Sequence, residues 1–208
     1  MDSKEYFEKV ADRWDRMQQS FFSENVRKAA VARAQVRPGE LAADIGAGTG
    51  FMTEELIKNE LRVIAVDRSG SMIEEMKKKF SRYDEIEYRI GDFNNLPLQN
   101  ETVDYVFANM YLHHVEIPQL AIDEVVRILR PAGKVVITEM DEHDFEFLVK
   151  EQHDRWMGFK RGDIALWFER AGLRNVSVDC LQEDCCADSV ECGQRASVGI
   201  FVAYGEKV

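Results

Sequence analysis

The chain has 208 residues, 45% of them apolar and 31% charged, which suits a folded core and lies far from disordered or fibrous composition. Its 38 acidic against 27 basic side chains leave a formal charge of −11, which repels phosphate backbones and anionic lipid unless a basic patch exists. The densest cationic run, 77–79, is interleaved with Glu74 and Glu75 at helical spacing, so neither nucleic acid nor membrane is expected as partner.

Tyr6, Phe7, Val10, Trp14 and Met17 recur with a helical period, so the first two dozen residues predict an amphipathic helix, followed by a second over about 23–35. The opening Met1-Asp2-Ser3-Lys4-Glu5 lacks the apolar run of a signal peptide, and no segment reaches bilayer-spanning length, so a cytoplasmic location is expected. From 41 onward short apolar runs alternate with helical stretches, placing strands near 41–45, 62–66, 86–90, 103–109, 133–139, 175–180 and 197–204. Met72, Ile73, Met76 and Phe80 share one face of a helix over 69–80. Another helix spans 118–130, with Pro118 in its first turn and Pro131 stopping it. Gly172 ends a helix that starts near Asp163, and 140–162 is long and partly irregular.

Strands alternating with helices imply an α/β fold with a doubly wound, mostly parallel seven-stranded sheet, whose ligands bind beyond the carboxyl ends of the strands. The last two strands have no helix between them, which calls for a C-terminal antiparallel strand. One domain is expected over 1–208, with helices in 1–36 as a candidate lid and the sheet core over 37–208.

The most informative stretch is Leu41-Ala42-Ala43-Asp44-Ile45-Gly46-Ala47-Gly48-Thr49-Gly50, a buried strand running into three alternate glycines. Glycine admits positive φ and lets a ligand approach the backbone. A dinucleotide fingerprint would need its third glycine three residues after the second, where this chain has Phe51. The next strand, Val63-Ile64-Ala65-Val66-Asp67, ends in a carboxylate suited to accept both hydroxyls of a ribose.

On these residues the chain resembles the class I S-adenosylmethionine-dependent methyltransferases, in particular the small-molecule (type 11) group that includes ubiquinone/menaquinone and arsenite methyltransferases, with their Rossmann-like fold. The resemblance implies S-adenosylmethionine as cofactor, with Asp44, Gly46, Ala47, Gly48, Thr49 and Gly50 holding its methionine portion and Asp67 its ribose. It places Arg68 and Met72 beside the adenine. Asp92, in Gly91-Asp92-Phe93, would accept from the exocyclic amine, and the Phe93 amide would donate to a ring nitrogen. Asn109 would offer backbone to the sulfonium end. Leu112-His113-His114-Val115 and Leu129-Arg130-Pro131-Ala132-Gly133-Lys134 also match.

Methyl transfer from a sulfonium is an in-line displacement, which asks the protein mainly to align a nucleophile and exclude water, with a base needed only for some acceptors. Candidates after the fourth and fifth strands are His113, His114, Glu139, Asp141 and His143. His113 and His114 are adjacent, so one at most is expected to face the pocket, and His113 is favoured as catalytic. Glu139 ends the fifth strand and is expected to point into the crevice, there to orient a substrate or cap the next turn. Tyr6, Phe7 and Trp14 either cover the site or pack on the sheet. Trp156, Met157, Gly158 and Phe159 either line a pocket or fill core.

All four cysteines lie between Cys180 and Cys192, too clustered for a disulfide scaffold. Read as a loop at 181–195 on the ligand side, they offer thiols to a trivalent metalloid. The spacing matches no zinc signature, so no metal is expected. Arsenite methyltransferases also carry cysteines in the N-terminal half, and this chain has none there. The reading is therefore methyl transfer to a small molecule. Metalloid or thiol methylation through the cysteines and non-catalytic cofactor binding stand as alternatives.

Overall fold

A computed structural model describes residues 3–208; Met1 and Asp2, with which the expected domain and lid begin, lie outside the described residues. The strands are β1 (Leu41–Ile45), β2 (Arg62–Asp67), β3 (Ile86–Ile90), β4 (Val103–Asn109), β5 (Leu129–Met140), β6 (Leu173–Asp188) and β7 (Arg195–Lys207). They form one sheet in the order β3-β2-β1-β4-β5-β7-β6. β1 to β5 pair in parallel, while β7 runs antiparallel to both β5 and β6, so β6 shares the direction of the first five.

Helices α1 (Ser3–Val10), α2 (Trp14–Phe21) and α3 (Asn25–Ala34) precede the sheet; a 3-10 turn, Ala11–Arg13, breaks the expected first helix in two. Then follow α4 (Phe51–Lys58), α5 (Gly70–Lys79), α6 (Pro118–Ile128), α7 (Glu146–Glu151) and α8 (Arg161–Arg170). None of the described helices is long and apolar enough to cross a membrane.

The two-residue period of the strands divides the core between the sheet's faces. Ala43, Ile45, Val106, Ala108, Val135 and Ile137 meet α6 and α8 through Ile122, Val125, Ile164 and Phe168. Their neighbours Ala42, Val63, Tyr105, Phe107 and Val136 meet α3 and α4 through Ala30, Ala34, Met52 and Leu56.

Two expectations need correction. The cysteine segment is not a loop: β6 runs on to Asp188 through a bulge between Cys180 and Asp184, where Gln182 takes a positive φ of 57°. The polar run at 181–184 imitates a loop in sequence, but a bulge lets the strand resume pairing with β7 at Gly199. The helix after Pro118 ends at Ile128, because Leu129 already pairs with Val103 of β4.

Candidate functional site

β1 lies between β2 and β4, so the chain winds away from it in both directions and the loops at the carboxyl ends part there. A cavity opens at this point, walled by the glycine loop, the ends of β2 and β4, residues 91–93 and the N-terminal helices.

The loop is pinned to β2 by Gly46 and Ala47, whose amides donate to the Val66 carbonyl at 2.9 and 3.1 Å. Gly46 has φ +69°, and a Cβ there would run into the Tyr111 ring, so a side chain at this position would displace a wall of the cavity. Gly50 caps α4 with φ +93°, and its missing side chain makes room for Phe80 rather than for a ligand.

Asp67 joins two sides of the cavity. One of its oxygens accepts from the Gly48 amide and the other from the Ser69 amide, both at 2.8 Å. Each oxygen keeps a lone-pair direction for a ligand hydroxyl. Burial pushes its carboxyl up in pKa, against those two amides. Ser69 caps α5 by accepting from the Met72 amide at 3.2 Å, and Glu8 of α1 accepts from Gly70 and Ser71 at 2.8 and 3.0 Å. The first helix is thereby fixed across the cavity mouth at a helix N-terminus, where a carboxylate is favoured.

Asp44 is buried, and Oδ2 accepts from the Thr53 amide at 2.9 Å and its hydroxyl at 2.6 Å, tying β1 to α4. Burial raises the Asp44 carboxyl to about 7 against those two bonds, with the Asp67 charge adding to the rise. Replacing Thr53 with valine removes the hydroxyl at constant shape. Denaturant unfolding should show a loss of about 1.5–3 kcal/mol, the usual value of a hydrogen bond to a charged group.

Of the residues assigned to the cofactor by sequence, Asp44, Gly46, Ala47, Gly48, Asp67, Arg68, Met72, Asp92, Phe93 and Asn109 line this cavity, and Thr49 and Gly50 do not. The Thr49 hydroxyl bonds to Asp15 instead. Nη2 of Arg68 is buried without a hydrogen-bond partner. The Phe93 amide donates to Asp92 Oδ1 at 2.7 Å, so Asp92 must turn aside before that amide reaches a ring nitrogen.

At the far end the 3-10 turn Leu112–His114 brings both imidazoles to the cavity, correcting the expectation that one at most would face it. A turn rotates successive side chains by about 120° rather than the 180° of a strand, and the two rings lie 4.1 Å apart. Glu139 does not line the cavity. It is fully buried and turned back on the turn: Oε1 contacts His113 Nδ1 at 2.7 Å and accepts from the Met140 amide at 2.8 Å, while Oε2 accepts from the His113 amide at 3.2 Å.

Asp154, which sequence reasoning missed, also lines the cavity, 3.7 Å from His113 Nε2 and 3.8 Å from His114 Nδ1. Burial pulls the His113 imidazolium down in pKa, but the Glu139 and Asp154 carboxylates outweigh it and hold the ring up at about 9. Burial, then the His113 charge, keeps His114 well below its ordinary value, so that ring is neutral. Burial pushes Asp154 up to about 6.

Tyr6, Phe7, Trp14 and Phe22 form the roof, with Phe7 edge-on to His114 at 4.9 Å and Tyr6 Oη donating to Gln152 Oε1 at 2.9 Å. Asp141 and His143 lie outside the cavity; Asp141 pairs with Arg161 at 2.5 Å. Phe159 is core, and Trp156 and Met157 are partly exposed away from the cavity. Of the cysteines only Cys185 lines it, with a thiol that burial raises to about 12. Cys186 points to the opposite face of β6, and Cys180 and Cys192 are exposed, so the thiols do not converge.

Residues 43–137 match the family described as Methyltransferase domain, Methyltransf_11. A demethylmenaquinone methyltransferase of Clavibacter sepedonicus is 30% identical over 155 residues, covering 73% of this chain and 62% of that protein. An arsenite methyltransferase of Halobacterium salinarum is 31% identical over 158 residues, covering 71% of this chain and 40% of that protein. The chain thus spans less than two thirds of the length of either relative. A solved SAM-dependent methyltransferase from Aquifex aeolicus shares the fold with a TM-score of 0.70 at 19% identity, with both chains wholly covered.

Proposed function

We propose that the chain is a class I S-adenosylmethionine-dependent methyltransferase that transfers the methyl group of this cofactor to a small-molecule acceptor. The observation that carries the reading is Asp67: a half-buried carboxylate braced by two loop amides, with both oxygens still open to a vicinal diol at the cavity wall.

The other residues fit the same group. Asp44 and Asp67 supply negative charge to a site that must hold a cation, and the orphan Nη2 of Arg68 offers a donor beside the expected adenine. When bound, the cofactor supplies an electrophilic methyl group on a positively charged sulfur.

The chain's own part is to bind, orient and exclude water. The Tyr6, Phe7 and Trp14 roof, fixed by Glu8, acts as the lid and keeps solvent from the transfer. His113 Nε2, His114 Nδ1 and Asp154 meet the acceptor's nucleophile, and a proton leaving it passes to this cluster, where His114 is the neutral imidazole. Glu139 is a positioning residue that fixes the ring of His113. A small acceptor suits a net charge of −11 and a cavity roofed by the N-terminal helices, and a cytoplasmic setting suits four free cysteines. The dispersed thiols favour this reading over metalloid or thiol methylation.

The test is incubation of the protein and methyl-labelled cofactor with fractionated small-molecule extract. Labelled low-mass product supports the reading. Tight cofactor binding with no labelled product from any fraction contradicts transfer.

Cofactor affinity should depend on pH through Asp44. Its carboxyl is held at about 7, and a cation in the same cavity favours the ionised form. Below about pH 7 binding must first expel a proton, so affinity falls by up to about tenfold per pH unit. S-adenosylhomocysteine lacks the sulfonium and should fall less steeply. Calorimetry of both ligands across that range checks this, and parallel pH profiles would contradict it.

A further inference from the structure

We propose that His113, His114 and Asp154 form a binding site for a divalent transition-metal ion of the zinc class, with His113 Nε2, His114 Nδ1 and an Asp154 oxygen as ligands and an open position toward the cavity. The three donor atoms lie within 4.8 Å of one another, with Asp154 Oδ1 3.7 Å from one imidazole nitrogen and 3.8 Å from the other.

Those contacts are too long for hydrogen bonds and of the length that an ion between them would draw in. Tetrahedral ligands on bonds of about 2.0–2.1 Å stand roughly 3.3 Å apart, so the two carboxylate contacts need to close by a few tenths of an ångström. His114 Nδ1 is buried with no hydrogen-bond partner. The Asp154 side chain is 3% exposed, and no hydrogen bond among the described residues reaches its carboxylate. Leaving a buried imidazole nitrogen without a partner is costly, and a cation between it and the Asp154 carboxylate satisfies it.

The second and independent observation is Glu139. A ligating histidine commonly gives its other ring nitrogen to a carboxylate, which fixes the tautomer and aims the ligating atom. Glu139 is 0% exposed, binds His113 Nδ1 at 2.7 Å and is itself held by the His113 and Met140 amides, so Nε2 is left pointing at Asp154. The backbone holds Asp154 in register too: the Arg155 and Trp156 amides both donate to the His113 carbonyl, at 2.8 and 3.1 Å. Two imidazoles and one carboxylate suit zinc, iron or manganese better than calcium or magnesium, which prefer all-oxygen sites. Three protein ligands with one open position is the arrangement of an ion that binds a small molecule rather than one that staples a fold.

The site needs no cofactor and no turnover, so its test is separate from that of methyl transfer. Tag-free protein, stripped with chelator, is titrated with Co²⁺ and followed by visible ligand-field absorption, and with Zn²⁺ by calorimetry. The expected result is one ion per chain with nitrogen and oxygen ligands. Affinity should fall at least about 100-fold in His114→Ala and in Asp154→Asn, and about 10- to 100-fold in Glu139→Gln, the usual effect of removing a carboxylate behind a ligating histidine. Far-UV circular dichroism confirms that each variant is folded. Wild-type protein that develops no ligand-field bands overturns the proposal. So does binding that persists unchanged in Asp154→Asn, or bands of thiolate charge transfer, which would put the ion on the cysteines.

Discussion

Replacing Asp67 with alanine is expected to weaken S-adenosylmethionine binding by at least about 100-fold, the loss of two hydrogen bonds to a charged acceptor at about 1.5–3 kcal/mol each. The substitution removes more than ligand contacts, because the Gly48 and Ser69 amides lose the carboxylate that holds the glycine loop against the start of α5. Asp67→Asn keeps one oxygen acceptor and should lose less. Asp92→Ala, at a more open wall where the carboxylate also satisfies the Phe93 amide, should cost about tenfold, one such bond at the low end. Calorimetric titration of the three variants gives the order. Equal losses for Asp67 and Asp92 would show that the wall at 91–93 carries as much of the affinity as the end of β2.

Replacing Glu139 with glutamine is expected to lower kcat by about 100-fold while leaving cofactor affinity unchanged, because Glu139 touches His113 and not the cavity. A readout specific to this role is the titration of His113. In the wild-type protein the two carboxylates outweigh burial and hold the ring near 9. The ion pair therefore contributes stability that is fully present below the unfolded histidine value of about 6.5 and is lost as pH rises through about 9. In Glu139→Gln the His113 titration, followed by NMR, should move down, and the fall in thermal stability between those pH values should flatten. Loss of activity with an unmoved His113 titration would assign Glu139 a merely structural role.

The parallel half of the fold was legible because its signals are local. An apolar strand that runs into alternating glycines, and a second that ends in Asp67, place themselves on one crevice without tertiary information, and Asp44, Gly46, Ala47, Gly48 and Asp67 line the cavity; Arg68, Met72, Asp92, Phe93 and Asn109, which also line it, were implied by the family resemblance alone. Thr49 and Gly50 belong to the same motif yet serve Asp15 and Phe80, since the loop has already turned into α4 by then.

The acceptor end was legible only in part. The pair His113-His114 stands out in sequence, but the 3-10 turn that presents both rings does not, because a three-residue turn leaves no periodic trace. Glu139 was found and its direction missed: next to the end of β5 its carboxylate turns to nearby donors, the His113 and Met140 amides. Asp154 left no signal at all, since it sits in irregular chain whose next two amides, of Arg155 and Trp156, are held by the carbonyl of His113. The length of β6 was hidden by a bulge whose polar residues read as loop.

The most direct test of the central claim is equilibrium dialysis of the wild-type protein against methyl-labelled S-adenosylmethionine at neutral pH. The structure predicts one site per chain, saturating in the micromolar range, on the order of −8 kcal/mol, and competed by S-adenosylhomocysteine. Retention no greater than that of an unrelated protein at about millimolar cofactor would contradict it.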